Sequence, residues 1–376
     1  MSLGLYIHIP FCEQHCHYCA FPVSVSSVKS HRPYISRLMR ELELVGLTEV
    51  PRTLYLGGGT PSLLDSDLIS ILVNAVPAGA PEVSLEANPG TLNGSKLDLY
   101  RDLGINRISL GAQSFDKTDL KRAGRLHESE DTIRDFEALR SKGFTNINLD
   151  LIAGFPGQSR QSWSQNLSWV EQLRPDHVSI YLLESEEGTL WGKRKSAMHT
   201  EDDQAWFYSS AAERLPAVGY DHYEISSWAL PGSECKHNLG YWNQKPYRGV
   251  GLGAHSYIDG QRFWNIRSMQ GYARRLDSRE LPIETIEHRT RTILLEEAFL
   301  LGLKQMRGFD VWEVANELGI DYPQEWFDRL ENLQKARLVE FNGTILKLAP
   351  SGWLLATGIT EELPCPRLLS IREATL

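Results

Sequence analysis

Between residue 5 and about residue 183, short apolar runs alternate with amphipathic stretches, and this rhythm restricts the fold more than any single motif. LYIHI (5–9), TLYLG (53–57), VSLEA (83–87), RISLG (107–111), NINLDLIAG (146–154) and HVSIYLL (177–183) read as strands. Helical patterns lie between them at 34–47, 68–76, 96–104 and 129–143. Repeated strand–helix–strand units make a parallel sheet, because each crossover helix packs back onto the sheet. The expected class is therefore α/β, either an open doubly wound sheet or a β/α barrel. In both, functional groups collect at the C-terminal ends of strands.

The chemically distinctive residues fall at those ends. A cysteine loop follows the first run, GGGTP (57–61) follows the second, and Glu86 closes the third. Gln113 follows the fourth and Asp150 lies in the fifth. The loop, CEQHCHYCAF (12–21), holds Cys12, Cys16 and Cys19, with Cys235 and Cys365 far away. An odd count of 5 cysteines, three of them clustered, argues against a disulfide framework and for a reducing, cytoplasmic setting. Thiolates bind soft metals. One reading is a zinc site completed by His8, His15 or His17; the other is a [4Fe–4S] cluster held through three irons, its fourth iron open to an exogenous ligand.

The texture changes near residue 230. Residues 227–257 are rich in Gly, Pro and aromatics without a clear period, and are read as a connecting subdomain over the open edge or mouth of the sheet. Helical patterns at 291–306, 310–319 and 324–338 then precede two strand-like pieces joined by Asn342-Gly343, a winged-helix-like arrangement. The expected domains are 1–230, 231–288 and 289–376. Residues 291–376 carry 13 acidic against 9 basic side chains and the whole chain has net charge −9, so no nucleic-acid partner is expected. No apolar run is long enough to span a bilayer, and no secretory pattern opens the chain.

The C-x3-C-x2-C spacing resembles the signature of the radical S-adenosylmethionine superfamily. LYIHIPFCEQHCHYCAF, YLGGGTPS, SLEANP, RISLGAQSF followed by GRLH, and NLDLIAGFPGQ together resemble the oxygen-independent coproporphyrinogen III oxidase family, in order through residues 5–160 and on to about 350. The resemblance implies a partial, open parallel β/α barrel of about six strands with a C-terminal winged-helix-like α+β domain. It implies a [4Fe–4S] cluster on Cys12, Cys16 and Cys19, with S-adenosylmethionine chelating the open iron. Tyr6, Gly58, Thr60, Glu86, Gln113, Arg125, Asp150 and Ile152 would lie at the cofactor pocket. The Gly57, Gly58 and Gly59 backbone would approach the methionyl ammonium, and Tyr18 the adenine. Glu86 and Asp150 can accept hydrogen bonds from ribose hydroxyls or the ammonium, and Arg125 can pair with the methionyl carboxylate. Gln113 suits the carboxylate or a ribose hydroxyl.

Two features separate this chain from the oxidase proper. Phe21 stands where the oxidase typically has a fourth cysteine, and Cys12 lies too near the start for the oxidase's N-terminal extension. HNLGYW (237–242) matches a pattern of the family's haem-chaperone branch. His237 would then supply an axial imidazole, with Tyr241 and Trp242 stacking on the porphyrin, and Cys235 as a second candidate ligand. The Cys365-Pro366 pair resembles a short haem-regulatory dipeptide. The expected function is haem binding and delivery to acceptor haem proteins, with an electron donor as a further partner. The alternatives are decarboxylation of coproporphyrinogen III, radical methylation or ring opening of haem, and a zinc-stabilised protein-binding scaffold. Cleavage of S-adenosylmethionine and oligomeric state stay open.

Overall fold

Six strands lie side by side and parallel in the computed structural model: β1 (Gly4–Ile9), β2 (Thr53–Gly58), β3 (Val83–Ala87), β4 (Arg107–Gln113), β5 (Ile147–Ala153) and β6 (His177–Leu182). The structure describes residues 2–25, 27–184, 186–193, 199–363 and 370–371. Cys365-Pro366 lies outside the described residues. Helices His31–Val45, Ser66–Asn74, Gly94–Asp102 and Ser129–Ser141 occupy the crossovers where the 3.6-residue periodicity places them.

Strand residues alternate between two environments, as a period of two requires. Leu5, Ile7, Leu56, Leu85, Leu110 and Leu149 are fully buried towards the helices. The intervening positions carry Tyr6, Tyr55, Glu86, Ser109 and Asp150, so the concave face is polar and aromatic. That polar set separates a site from a packed core.

The barrel is open. On the far side of β1 lies a parallel strand, Tyr247–Val250, followed by antiparallel His255–Ile258 and Gln261–Asn265 and then Ile283–Glu287. Ser227–Ala229 pairs antiparallel with the outer edge of β6. Residues 227–257 thus supply sheet strands rather than an aperiodic cover. The missed signal is Asp259-Gly260: both residues have positive φ (51° and 74°) and join Ile258 to Gln261 in a two-residue hairpin turn.

The chain forms two compact units. One comprises Met1–Asp221, Ser226–His237 and Pro246–Ile286; the other comprises His222–Ile225, Asn238–Lys245 and Glu287–Leu376. In the second, helices Arg291–Gly302, Val311–Leu318 and Gln324–Lys335 precede a hairpin of Val339–Phe341 and Ile345–Leu348. Gly343 has φ 97°, and the Asn342 side chain accepts from the amides of Thr344 (3.0 Å) and Ile345 (2.8 Å), closing the turn that Asn-Gly predicts. Phe299, Leu303, Trp326 and Leu346 are fully buried at its centre, with Tyr322 stacked on Trp326 at 4.2 Å. This is the winged-helix-like α+β domain.

Candidate functional site: the cysteine loop and the strand ends

The cysteine loop leaves the C-terminal end of β1 and is pinned at several points. Phe11–Cys12 pairs with Ser24–Val25, closing its base. Its middle is held by the His17 amide donating to the Ala123 carbonyl (3.0 Å) and by His17 Nδ1 bonding the Arg122 carbonyl (2.7 Å). All three thiols are half-buried. Phe21, 70% exposed, points away from the packed interior.

The three glycines at the end of β2, Gly57 and Gly58 within it and Gly59 just after, are a steric requirement. A Cβ on Gly57 would lie 2.9 Å from Glu86 Oε1 and 2.8 Å from the Tyr55 ring, and one on Gly59 would lie 2.6 Å from the Phe11 carbonyl oxygen. Backbone amides of Gly59 and Thr60 donate to the Ile9 and Phe11 carbonyls, both at 2.8 Å, stitching this turn to the start of the cysteine loop. Because the obstruction at Gly59 is backbone, Gly59→Ala is expected to destabilise the fold by about 1–3 kcal/mol. Thermal denaturation of the cluster-free protein checks this, and an unchanged melting temperature would show that the turn yields.

Polar groups converge beside the thiols. Cys12 Sγ is 3.6 Å from Thr60 Oγ1, which accepts from Asn88 Nδ2 at 2.9 Å. Asn88 Oδ1 in turn accepts from Arg125 Nη2 at 2.8 Å. Arg125 also donates to the Gly111 carbonyl (2.8 Å) and reaches Cys16 Sγ at 3.7 Å. Its Nε is buried without a hydrogen-bond partner. Gln113 sits at a register shift in β4 with φ 64°, and its amide lies beside Asn88 and Arg125 over Gly111. Asn88, not singled out above, is the hinge of this network; its place in the SLEANP motif was the available signal.

Across the concave face, Glu86 accepts from the Gly58 amide and the Tyr55 hydroxyl, both at 2.9 Å. Burial pushes its carboxyl up to about 7, with the neighbouring Asp150 charge adding to the shift and these two bonds opposing it. Asp150 is also raised by burial, against bonds from Ser109 and Asn148, both at 2.8 Å. Ile152 and Tyr18 join Phe155, Leu183 and Trp191 in an apolar cluster, with Tyr18 6.0 Å from Trp191. Tyr6 donates to or accepts from His8 Nδ1 at 2.9 Å.

These residues fit an iron–sulfur cluster with a charged ligand. Burial raises the Cys12 thiol to about 11 and Cys19 above its usual value, so neither ionises unaided at neutral pH. A bound metal group makes the thiolates, and the buried Arg125 cation beside Cys16 suits the resulting negative charge. Among the described residues, no group of three or more His, Cys, Asp or Glu is placed to hold a single metal ion. Thiolates on three corners of a cubane need not converge on one point, as a zinc site's ligands must.

His237 is not brought to this mouth. It lies against the first residues of β1 and β2, at the opposite end of the strands, 3% exposed. Nδ1 bonds Thr53 Oγ1 at 2.7 Å, the ring stacks on Tyr55 at 5.0 Å, and the amide donates to Glu82 at 2.9 Å. Burial lowers its basicity to about 3, with Arg52 adding to the effect. In this conformation the imidazole is a buried structural group rather than a presented haem ligand. Cys235 is equally buried, with its thiol 3.8 Å from Glu82. Trp242 lies in the second unit beneath the Lys304 ammonium, 5.3 Å from the ring centre.

The radical SAM superfamily model matches residues 6–170, and the HemN C-terminal domain model matches residues 289–355. The chain is 31% identical to the heme chaperone HemW of Bacillus subtilis, over 94% of this chain and 97% of that one. It is 34% identical to the heme chaperone HemW of Mycobacterium tuberculosis, over 96% and 94%. With the Escherichia coli heme chaperone HemW it shares 38% identity over 68% and 70%. The fold matches coproporphyrinogen III oxidase (HemN) of Escherichia coli with a TM-score of 0.85 at 22% identity, covering 97% of this chain and 90% of that one. Membership of the superfamily implies a [4Fe–4S] cluster and S-adenosylmethionine. No helix among the described residues is long and apolar enough to cross a membrane. On sequence shared over nearly its whole length, the chain belongs to the heme chaperone HemW family of radical SAM proteins.

Proposed function

We propose that this protein binds haem in the cytoplasm and delivers it to acceptor haem proteins. The observation that carries the reading is the near end-to-end match with curated heme chaperones. The exposed Phe21 at the position of the oxidase's extra cysteine agrees with it. In this reading Cys12, Cys16 and Cys19 hold the cluster. Arg125 and Gln113 take the methionyl carboxylate, the Gly57–Gly59 backbone and Glu86 take the ammonium, and Asp150 takes ribose hydroxyls. Tyr18 and Ile152 flank the adenine, while Tyr6 and Thr60 position their neighbours. When bound, the cluster supplies an electron to S-adenosylmethionine or responds to an electron donor. Glu86, whose carboxyl burial raises to about 7, pairs with the ammonium's charge only in its ionised form.

The test is haem titration of anaerobically reconstituted protein, followed by mixing with an apo-haem protein. One haem per chain, and its appearance in the acceptor, is the expected result. Failure to bind haem would overturn the proposal. The HemN-like fold keeps a second reading in view, decarboxylation of coproporphyrinogen III, and the same preparation assayed with that substrate and a reductant separates the two.

A further inference from the structure

A chain of hydrogen bonds crosses three strands to reach Asp150, through residues to which the cofactor reading gives no part. Asn148 lies two residues before Asp150 on β5, so both face the concave side. It pairs with Ser109 of β4 on one flank and with His177 of β6 on the other. Asn148, Ser109, His177 and Ser179 are all buried. His177 Nδ1 lies 2.7 Å from Asn148 Oδ1, and Ser179 Oγ lies 3.2 Å from it. Asn148 Nδ2 is 2.6 Å from Ser109 Oγ and 2.8 Å from Asp150 Oδ1. Ser109 Oγ is 2.8 Å from Asp150 Oδ2, and Ser179 also reaches the Asp150 carboxylate.

The bonds all run one way. Asn148 turns its NH2 towards Asp150 and Ser109, because the reverse would set a carbonyl oxygen against a carboxylate. Its Oδ1 then faces His177, whose ring must carry a hydrogen on Nδ1 in order to donate. Burial, with Arg107 adding to the effect, holds the basicity of His177 well below the usual imidazole value, so that ring is neutral. Ser109, accepting from Asn148, has its own hydroxyl hydrogen left for Asp150. Asn148 precedes Asp150 on β5 and Ser109 pairs with Asn148, so both donors approach from the N-terminal side of the strands. They hold one carboxylate oxygen each and leave acceptor capacity on the mouth side.

We propose that Asn148, set by His177, is the positioning residue that makes Asp150 selective for the hydroxyl groups of the cofactor's ribose. The inference rests on the reading above in which Asp150 takes those hydroxyls, and it adds what holds the carboxylate ready. Asn148 acts through Asp150 and does not touch the ligand. A carboxylate anchored at both oxygens meets a hydroxyl donor without first having to be ordered, and that saving appears as affinity. A ligand lacking the hydroxyl gains nothing from it.

The experiment titrates full-length, cluster-loaded protein anaerobically with S-adenosylmethionine and with its 2′-deoxy and 3′-deoxy counterparts, read by calorimetry. Wild type is expected to prefer S-adenosylmethionine to at least one counterpart by about tenfold, the worth of a hydrogen bond to a charged group. Asn148→Leu should erase that preference by weakening S-adenosylmethionine while leaving the affinity for the deoxy counterpart unchanged. His177→Leu should do the same, whereas His177→Asn, which returns an N–H near the place of Nδ1, should keep the preference. Ser109→Ala, the milder change, should reduce the preference and serves as the test if Asn148→Leu does not fold. Equal weakening of all the ligands in these variants would mark a merely structural role and overturn the proposal. A preference abolished by Asp150→Asn but kept by Asn148→Leu and Ser109→Ala would overturn the positioning and leave the ribose reading standing. No preference in wild type would overturn both.

Discussion

Replacing Cys12, Cys16 or Cys19 by alanine, singly, is expected to take the anaerobically purified protein from about four irons and four sulfides per chain to near zero. The loop offers no substitute ligand: His15 and His17 engage the Cys16 and Arg122 carbonyls, and His8 is buried between Tyr6 and the Pro22 carbonyl. Two remaining thiolates leave two irons without a protein ligand, and the effect is all-or-none. Melting of the cluster-free protein should shift little, because the thiols are half-buried and only their loop is altered. Cys235→Ala is the control that keeps its iron. Zinc in place of iron and sulfide, in wild type, would refute the cluster assignment outright.

Glu82→Ala is expected to destabilise the protein strongly. The carboxylate is buried and accepts from the Lys236 and His237 amides, both at 2.9 Å, at the start of helix Lys236–Trp242. Truncation leaves these donors without their acceptor, beside the Cys235 thiol, with the His237 amide buried. Each buried orphan costs about 1–3 kcal/mol, so a total of roughly 2–5 kcal/mol is expected. Glu82→Gln keeps one acceptor oxygen and should recover about half of that. Denaturant unfolding, read at the midpoint with unchanged slope, measures both; an alanine variant as stable as wild type would show that the helix start finds other partners.

How much of this was legible depended on whether a signal was local. The six parallel strands were readable because each is an apolar run bounded by helical periodicity, and the strand-end motifs lay on the chain where the architecture needs them. The Asn342-Gly343 hairpin was legible for the same reason. The hairpin around Asp259-Gly260 was overlooked because aromatics fall on both faces: Phe263 is buried and Trp264 half-buried, so hydrophobicity alone shows no alternation. Asn88 and Glu82 escaped notice because their importance comes from partners distant in sequence, Arg125 for one and the 235–237 turn for the other. For His237 the motif carries the chemistry of an imidazole, whereas its burial against Thr53 and Tyr55 is a tertiary fact with no local signal.

Tyr55 reaches from one end of the barrel to the other. Its hydroxyl holds the Glu86 carboxylate at the cofactor end, while its ring lies on the His237 imidazole at the other. One phenol therefore touches both the mouth and the floor. The two ends of the barrel share one side chain, bonded at the mouth through its hydroxyl and stacked at the floor through its ring.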